Sequence, residues 1–175
     1  RGLDQMGVKS DFVKLSDGFS RINIKIKTQT ETEINCQGPN ISEKAIGMLF
    51  EKLDRLKSGD ILVLAGSIPQ SLPKDIYEKI LHRLSGRGIC TGVDATGKLL
   101  LNVLKYHPFL IKPNHIELGE VCSRDLKGAS INDIAACARQ LIDKGAQNVL
   151  VSMAGDGALF VPKAGDVIYQ PAAKG

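Results

Sequence analysis

The chain has no tryptophan, and aromatic residues make up only 5% of it. No Lys/Arg stripe interleaved with aromatics occurs, so nucleic acid is not an expected partner. The formal net charge of +4 is modest and weakly favours anionic ligands. No apolar run approaches the roughly 20 residues a membrane span needs, and no signal peptide is visible. The cysteines (Cys36, Cys90, Cys122 and Cys137) form no C-x-x-C pair. Cys90 and Cys137 lie in apolar patterns and are expected to be buried thiols, which fits a reducing, cytoplasmic compartment. His82, His107 and His115 have no second histidine or cysteine at metal-ligand spacing, and His82 on a helical stripe suggests a structural role. A Walker motif, a dinucleotide G-x-G-x-x-G, a Ser-His-Asp arrangement and a glycosidase carboxylate pair are likewise missing.

What remains is aliphatic. The 175 residues, 43% hydrophobic and 24% charged, suffice for one sizeable core. The first residues read as a helix end and turn, then "DFVKL" as a short strand. "SRINIKIKTQ" alternates with period two, placing Ile22, Ile24 and Ile26 on one face of a half-buried strand. "TETEINCQGPN" follows as a second strand, closing on Gly38-Pro39; the two form an antiparallel ribbon over 20–40. Ser42 then caps a helix carrying Ile46, Leu49, Phe50, Leu53 and Leu56. "DILVLAG" is nearly all apolar, the mark of a strand covered on both faces. Pro73 suits the first turn of the next helix. Thereafter strands and helices alternate: "ICTGVD", "GKLLLNVLKY", "PFLIKPN", "HIELGEV", a helix from Ser130 to Lys144, and "NVLVSM". "GALFVP" and "DVIYQP" make a closing hairpin. This is an α/β chain of stacked βα units on a mostly parallel sheet.

Ligands of open α/β sheets bind outside the carboxyl ends of the strands. Those ends carry Gly66-Ser67, Asp94, Lys112 with Asn114 and Glu117, and Ser152 with Gly155 and Gly157. Small and polar residues there suit phosphate. Gly66 lets backbone approach a ligand and Ser67 offers a hydroxyl; a plain turn is the alternative. Lys112 delivers an amine to an anion, or snorkels at the sheet edge. Asn114 and Glu117, three apart, can hold Mg²⁺ through waters, or can simply be a helix cap and a first-turn carboxylate. "SMAGDGAL" alone could equally be a tight hairpin entry.

Together, "SRINIKIK", "TETEIN" with "GP", "LAGSIPQSLP", "DATG", "KPNHIELGE" and "SMAGDGALF" resemble the ribokinase-like (PfkB) carbohydrate kinases over residues 20–160. The resemblance implies a three-layer α/β/α fold with a β-ribbon lid over 20–40, and residues 1–19 and 41–175 as part of the kinase core. It implies ATP and Mg²⁺ as cofactors and phosphorylation of fructose 1-phosphate to fructose 1,6-bisphosphate. Tagatose 6-phosphate or another sugar is the alternative acceptor, and an inactive sugar-phosphate-binding fragment the alternative of another class. Arg21, Gly66 and Ser67 would bind the sugar phosphate. Lys112 would lie against the transferring phosphates, with Asp94 near them. Ser152, Gly155 and Gly157 would belong to the nucleotide loop, and Asn114 and Glu117 would govern Mg²⁺ through water. The ribbon would support a homodimer. The family's glycine-rich motif with the catalytic aspartate is not found here, nor are its N-terminal strands. The chain, which opens on Arg1 rather than methionine, is therefore expected to be the middle of a longer protein and inactive by itself.

Overall fold

A computed structural model of the chain describes residues 2–27 and 31–173. The described chain divides into two compact units, Arg1–Arg55 with Pro69–Pro73, and Leu56–Ile68 with Lys74–Gly175.

The first unit holds a short helix α1 (Gly2–Gln5), strands β1 (Asn23–Lys27) and β2 (Glu31–Asn35), and helix α2 (Glu43–Leu53). β1 and β2 pair antiparallel, with Ile24 opposite Ile34 and Asn23 opposite Asn35. The predicted ribbon therefore forms; positions 28–30, at its tip, lie outside the described residues. Ser42 caps α2 as expected, its hydroxyl accepting the Ala45 N–H at 3.3 Å. Two expectations change here. Residues 11–15 ("DFVKL") form no strand; Asp11 instead pairs with Lys52 on α2. Ile22, Ile24 and Ile26 are exposed rather than half buried. A two-stranded ribbon has two faces, and period-two spacing says nothing about whether a second layer covers the apolar one.

The second unit opens with β3 (Ile61–Ala65), α3 (Ile76–Leu84), β4 (Cys90–Asp94) and α4 (Gly97–Val103). Next come β5 (Leu110–Ile111), α5 (His115–Cys122), α6 (Ile131–Asp143), β6 (Asn148–Ser152), β7 (Ala158–Pro162) and β8 (Ile168–Gln170). They make one six-stranded sheet in strict chain order, β3-β4-β5-β6-β7-β8. The first four strands are parallel and the last two antiparallel. This is the three-layer α/β/α class with a mostly parallel core sheet, as the alternation of elements predicts.

The core centres on β5, β6 and β7. Ile111, Val149, Val151, Leu159 and Val161 are fully buried, as are Leu118 of α5 and Leu141 of α6. α6 shows how the sequence writes this. Ser130 accepts the Asp133 N–H at 3.2 Å, and Ile134, Ala135, Cys137, Ala138 and Leu141 turn one face inward. Covering one buried Leu or Ile contributes about 1.5–3 kcal/mol.

Three more expectations change. Among the described residues β3 is covered on one face only: Ile61 is 73% and Val63 65% exposed, while Leu64 turns inward, and no helix of this unit lies over the other face. Cys90, expected to be buried, is exposed at the first position of β4; Cys137, inside α6, is buried as expected. Pro73 does not open α3, which starts at Ile76 after turns over residues 70–75.

Candidate functional site

The carboxyl ends of β3 to β6 lie side by side, because those strands are parallel and adjacent. At the end of β3, Gly66 has φ +92°, a left-handed conformation that glycine adopts without strain. A Cβ built there would meet nothing within 4 Å, so the backbone angle rather than crowding selects glycine. Ser67 follows and is exposed. β4 ends on Asp94, whose Oδ2 lies 3.1 Å from Lys112 Nζ, just past β5. The Lys112 N–H donates to Val93 O, so the lysine backbone continues the ladder and its position is set by the sheet. Both charged groups are partly exposed. Such a pair contributes only about 0.2–1 kcal/mol. A charge-assisted contact to a phosphate, about 1.5–3 kcal/mol, is strong enough to draw the ammonium away from Asp94.

Asn114 bridges β6 at Ser152, and the Ser152 N–H donates to Pro113 O at 3.1 Å. Asn114 and Glu117 close a capping box at the start of α5. The Glu117 N–H donates to Asn114 Oδ1 and the Asn114 N–H to Glu117 Oε2, both at 2.8 Å. The cap and first-turn roles are thus filled. The box engages Glu117 through one carboxylate oxygen, leaving the other as an acceptor. One such oxygen suits a magnesium ion that keeps most of its waters, and no group of three or more metal-ligating side chains occurs among the described residues.

After β6 the chain makes a 3-10 turn over Ala154–Asp156. Its glycines differ. Gly157 has φ +100°, and a Cβ would fall 2.1 Å from Gln170 O, so packing alone demands glycine. Gly155 has neither constraint: no positive φ and nothing within 4 Å. The hairpin-entry account covers Gly157, whereas neither the backbone angle nor packing explains Gly155.

In the first unit, Arg21 lies at the foot of the ribbon. Its Nε donates to Asn23 Oδ1 at 2.9 Å and its Nη2 reaches Asn35 Oδ1 at 3.5 Å. Asn23 and Asn35 are partners across the ribbon, so the guanidinium is tethered to both strands. His82 is exposed, its ring edge-on to Tyr106 at 6.2 Å.

One polar contact had no sequence signal. Tyr77 fits the apolar stripe of α3, yet its hydroxyl donates to Gly66 O at 2.9 Å. Burial, and then the negative charge of Asp94, push its pKa up, so the phenol stays a donor.

Comparison with known proteins agrees with this arrangement. Residues 1–175 match the pfkB family carbohydrate kinases. The chain belongs to that family. It is 46% identical over 143 residues to the 1-phosphofructokinase of Bacillus subtilis (strain 168), covering 82% of this chain and 46% of that protein. It is 37% identical over 156 residues to the D-tagatose-1-phosphate kinase of Bacillus licheniformis, covering 89% of this chain and 51% of that protein. Among solved structures, Escherichia coli phosphofructokinase-2 in complex with potassium superposes with a TM-score of 0.80 at 26% identity, over 95% of this chain and 54% of that one. The chain spans about half the length of the curated relatives it matches.

Proposed function

We propose that the protein carrying this chain is an ATP-dependent sugar-phosphate kinase acting on fructose 1-phosphate to give fructose 1,6-bisphosphate. The observation that carries the reading is the row of groups at adjacent strand ends: Gly66, Asp94, Lys112, Asn114 and Ser152 on one rim of a parallel sheet. The 46% identity to a 1-phosphofructokinase favours that sugar.

Each residue has a task in this reading. Lys112 exchanges Asp94 for the transferring phosphates and neutralises the charge that grows on them. Asp94 holds the ammonium on station until then. Ser152, Gly155 and Gly157 form the nucleotide loop, and the bare Gly155 gives room for close approach. Glu117, through the carboxylate oxygen its capping box leaves over, would hold a magnesium ion by way of its waters, with Asn114 fixing that carboxylate. When bound, Mg²⁺ would supply positive charge that neutralises the phosphates. Gly66, Ser67 and Arg21 bind the sugar phosphate, the guanidinium being suited to bidentate contact.

The ribbon is a second point of the proposal. Its exposed Ile22, Ile24, Ile26 and Ile34 suit self-association into a homodimer. A cytoplasmic location is part of the same proposal.

The test is turnover by the whole protein with MgATP and a panel of acceptors: fructose 1-phosphate, tagatose 1-phosphate, fructose 6-phosphate and tagatose 6-phosphate. The highest kcat/KM is expected for fructose 1-phosphate. A preference for tagatose 1-phosphate would transfer the assignment to the activity named for the Bacillus licheniformis relative. Turnover of none would leave a sugar-phosphate-binding protein, distinguishable by calorimetry with the same panel. Ile24→Asp tests the ribbon: a dimer in sedimentation should become a monomer.

A further inference from the structure

The Tyr77 hydroxyl has no part in the roles above, and the apolar stripe of α3 would accept phenylalanine in its place. Tyr77 is buried, with 8% of its surface exposed, and its hydroxyl reaches the Gly66 carbonyl at the end of β3. A buried phenol needs an acceptor; the choice of acceptor has a geometric consequence. In a trans peptide the C=O of one residue and the N–H of the next point in opposite directions. With the Gly66 carbonyl turned onto Tyr77, the Ser67 N–H is turned away from α3. Gly66 itself holds a left-handed φ of +92°, which glycine adopts without strain. Ala65, just before Gly66, is paired across the sheet with Asp94, which also holds Lys112 at 3.1 Å. The hydroxyl thus ties α3 to the β3 loop beside that pair.

We propose that Tyr77 is a positioning residue: by holding the Gly66 carbonyl it fixes the 66–67 peptide and so aims the Ser67 amide and side chain at the phosphoryl group of the sugar. This rests on the proposed function in taking Ser67 as a sugar-phosphate contact. Tyr77 touches neither substrate. Its removal therefore acts on sugar-phosphate binding and leaves ATP handling alone, whereas a merely structural tyrosine would change stability and no binding constant.

The experiment is Tyr77→Phe in the whole protein, which keeps the buried ring. Losing one hydrogen bond to a positioned peptide should raise KM for fructose 1-phosphate about 3–10-fold. KM for ATP should stay within about twofold and kcat near that of the wild type. Calorimetry with fructose 1-phosphate in the absence of ATP should show the same loss as Kd. Gly66→Ala should raise the same KM, because alanine resists the left-handed turn, although its Cβ meets no neighbour. Adding Tyr77→Phe to Gly66→Ala should then have less than about a twofold further effect, since both act through one peptide. A Tyr77→Phe protein with a lowered Tm but unchanged KM and Kd for the sugar overturns the inference alone, and so does full additivity with Gly66→Ala. A wild type that neither binds nor phosphorylates any sugar phosphate overturns the proposed function and the inference together.

Discussion

In the ribbon, Ile24 faces Ile34 across the strand pair, and they are 48% and 49% exposed. In the six-stranded sheet, Val149 faces Val161 in the same antiparallel way, and both are fully buried. The pairing chemistry is alike and the side chains are all β-branched. The difference is a second layer: α6 packs on β6 and β7, while Ile24 and Ile34 lie open. A strand pattern in sequence therefore says which residues share a face, but what the face is for depends on what lies over it. Over β6 and β7 the apolar residues hold a fold. On the ribbon they are available for association.

The comparison breaks most visibly under truncation. Leu159→Ala, in the fully buried face of β7, should lower unfolding free energy by about 2–5 kcal/mol in urea titrations. Ile24→Ala should change it by less than about 0.5 kcal/mol in the monomer. Equal losses would mean that the ribbon's isoleucines are covered in solution.

Glycines sharpen it next. Gly157→Ala combines a positive φ with a Cβ placed 2.1 Å from Gln170 O. It should cost about 1–3 kcal/mol and displace the end of β8. Gly155→Ala meets neither obstacle and should leave Tm unchanged while raising KM for ATP. A Tm drop at 155 as large as at 157 would reduce the whole loop to a hairpin entry.

A smaller effect separates the cap that Glu117 makes from the magnesium role proposed for it. Gln can still serve a capping box, so Glu117→Gln should alter stability by less than about 1 kcal/mol. The Mg²⁺ concentration for half-maximal turnover at fixed ATP should rise several-fold. An unchanged magnesium titration would leave Glu117 as a cap and nothing more.

The smallest effect is on thiols. Burial, and then a hydrogen bond to Cys137, push the Cys122 thiol up to about 11. Thiolate is the reactive form, so exposed Cys36 and Cys90 should react first with a disulfide reagent, Cys122 slowly and buried Cys137 last. The sign for stability follows. The folded state holds the Cys122 proton more tightly than the unfolded chain, so this contribution is intact below about pH 9 and is lost as pH rises through about 11. Cys122→Ala should flatten that part of the pH–stability curve.

Much of this was legible in the residues. The order of strands and helices followed from periodicity, the α2 cap from Ser42, the extent of α6 from the run between Ser130 and Lys144, and the closing hairpin from "GALFVP" and "DVIYQP". The strand ends singled out Asp94, Lys112 and Asn114 before any geometry was known. What escaped had physical reasons. "DILVLAG" looks the same at the edge of a sheet as at its centre, because hydrophobicity records transfer preference and not neighbours. Cys90 begins a strand, and a first position can open to solvent whatever follows it. "DFVKL" has strand composition without a partner strand. The Tyr77–Gly66 contact was invisible because tyrosine fits an apolar helical stripe on its ring alone. The Asp94–Lys112 pair joins residues far apart in the chain, which only the β4–β5 register brings together.

The outer side of β3 has a practical consequence for anyone handling these 175 residues by themselves. Among the described residues β3 pairs only with β4, and Ile61 and Val63 lie open beside its unmatched backbone. "ILVLA" carries no charge, no proline and no glycine. A bare edge of that composition accepts a strand from whatever meets it, including the same segment of another molecule. Soluble yield of this chain by itself, after dilution from denaturant, should therefore fall as its concentration rises. A lysine in place of Val63 should recover material otherwise lost to the pellet.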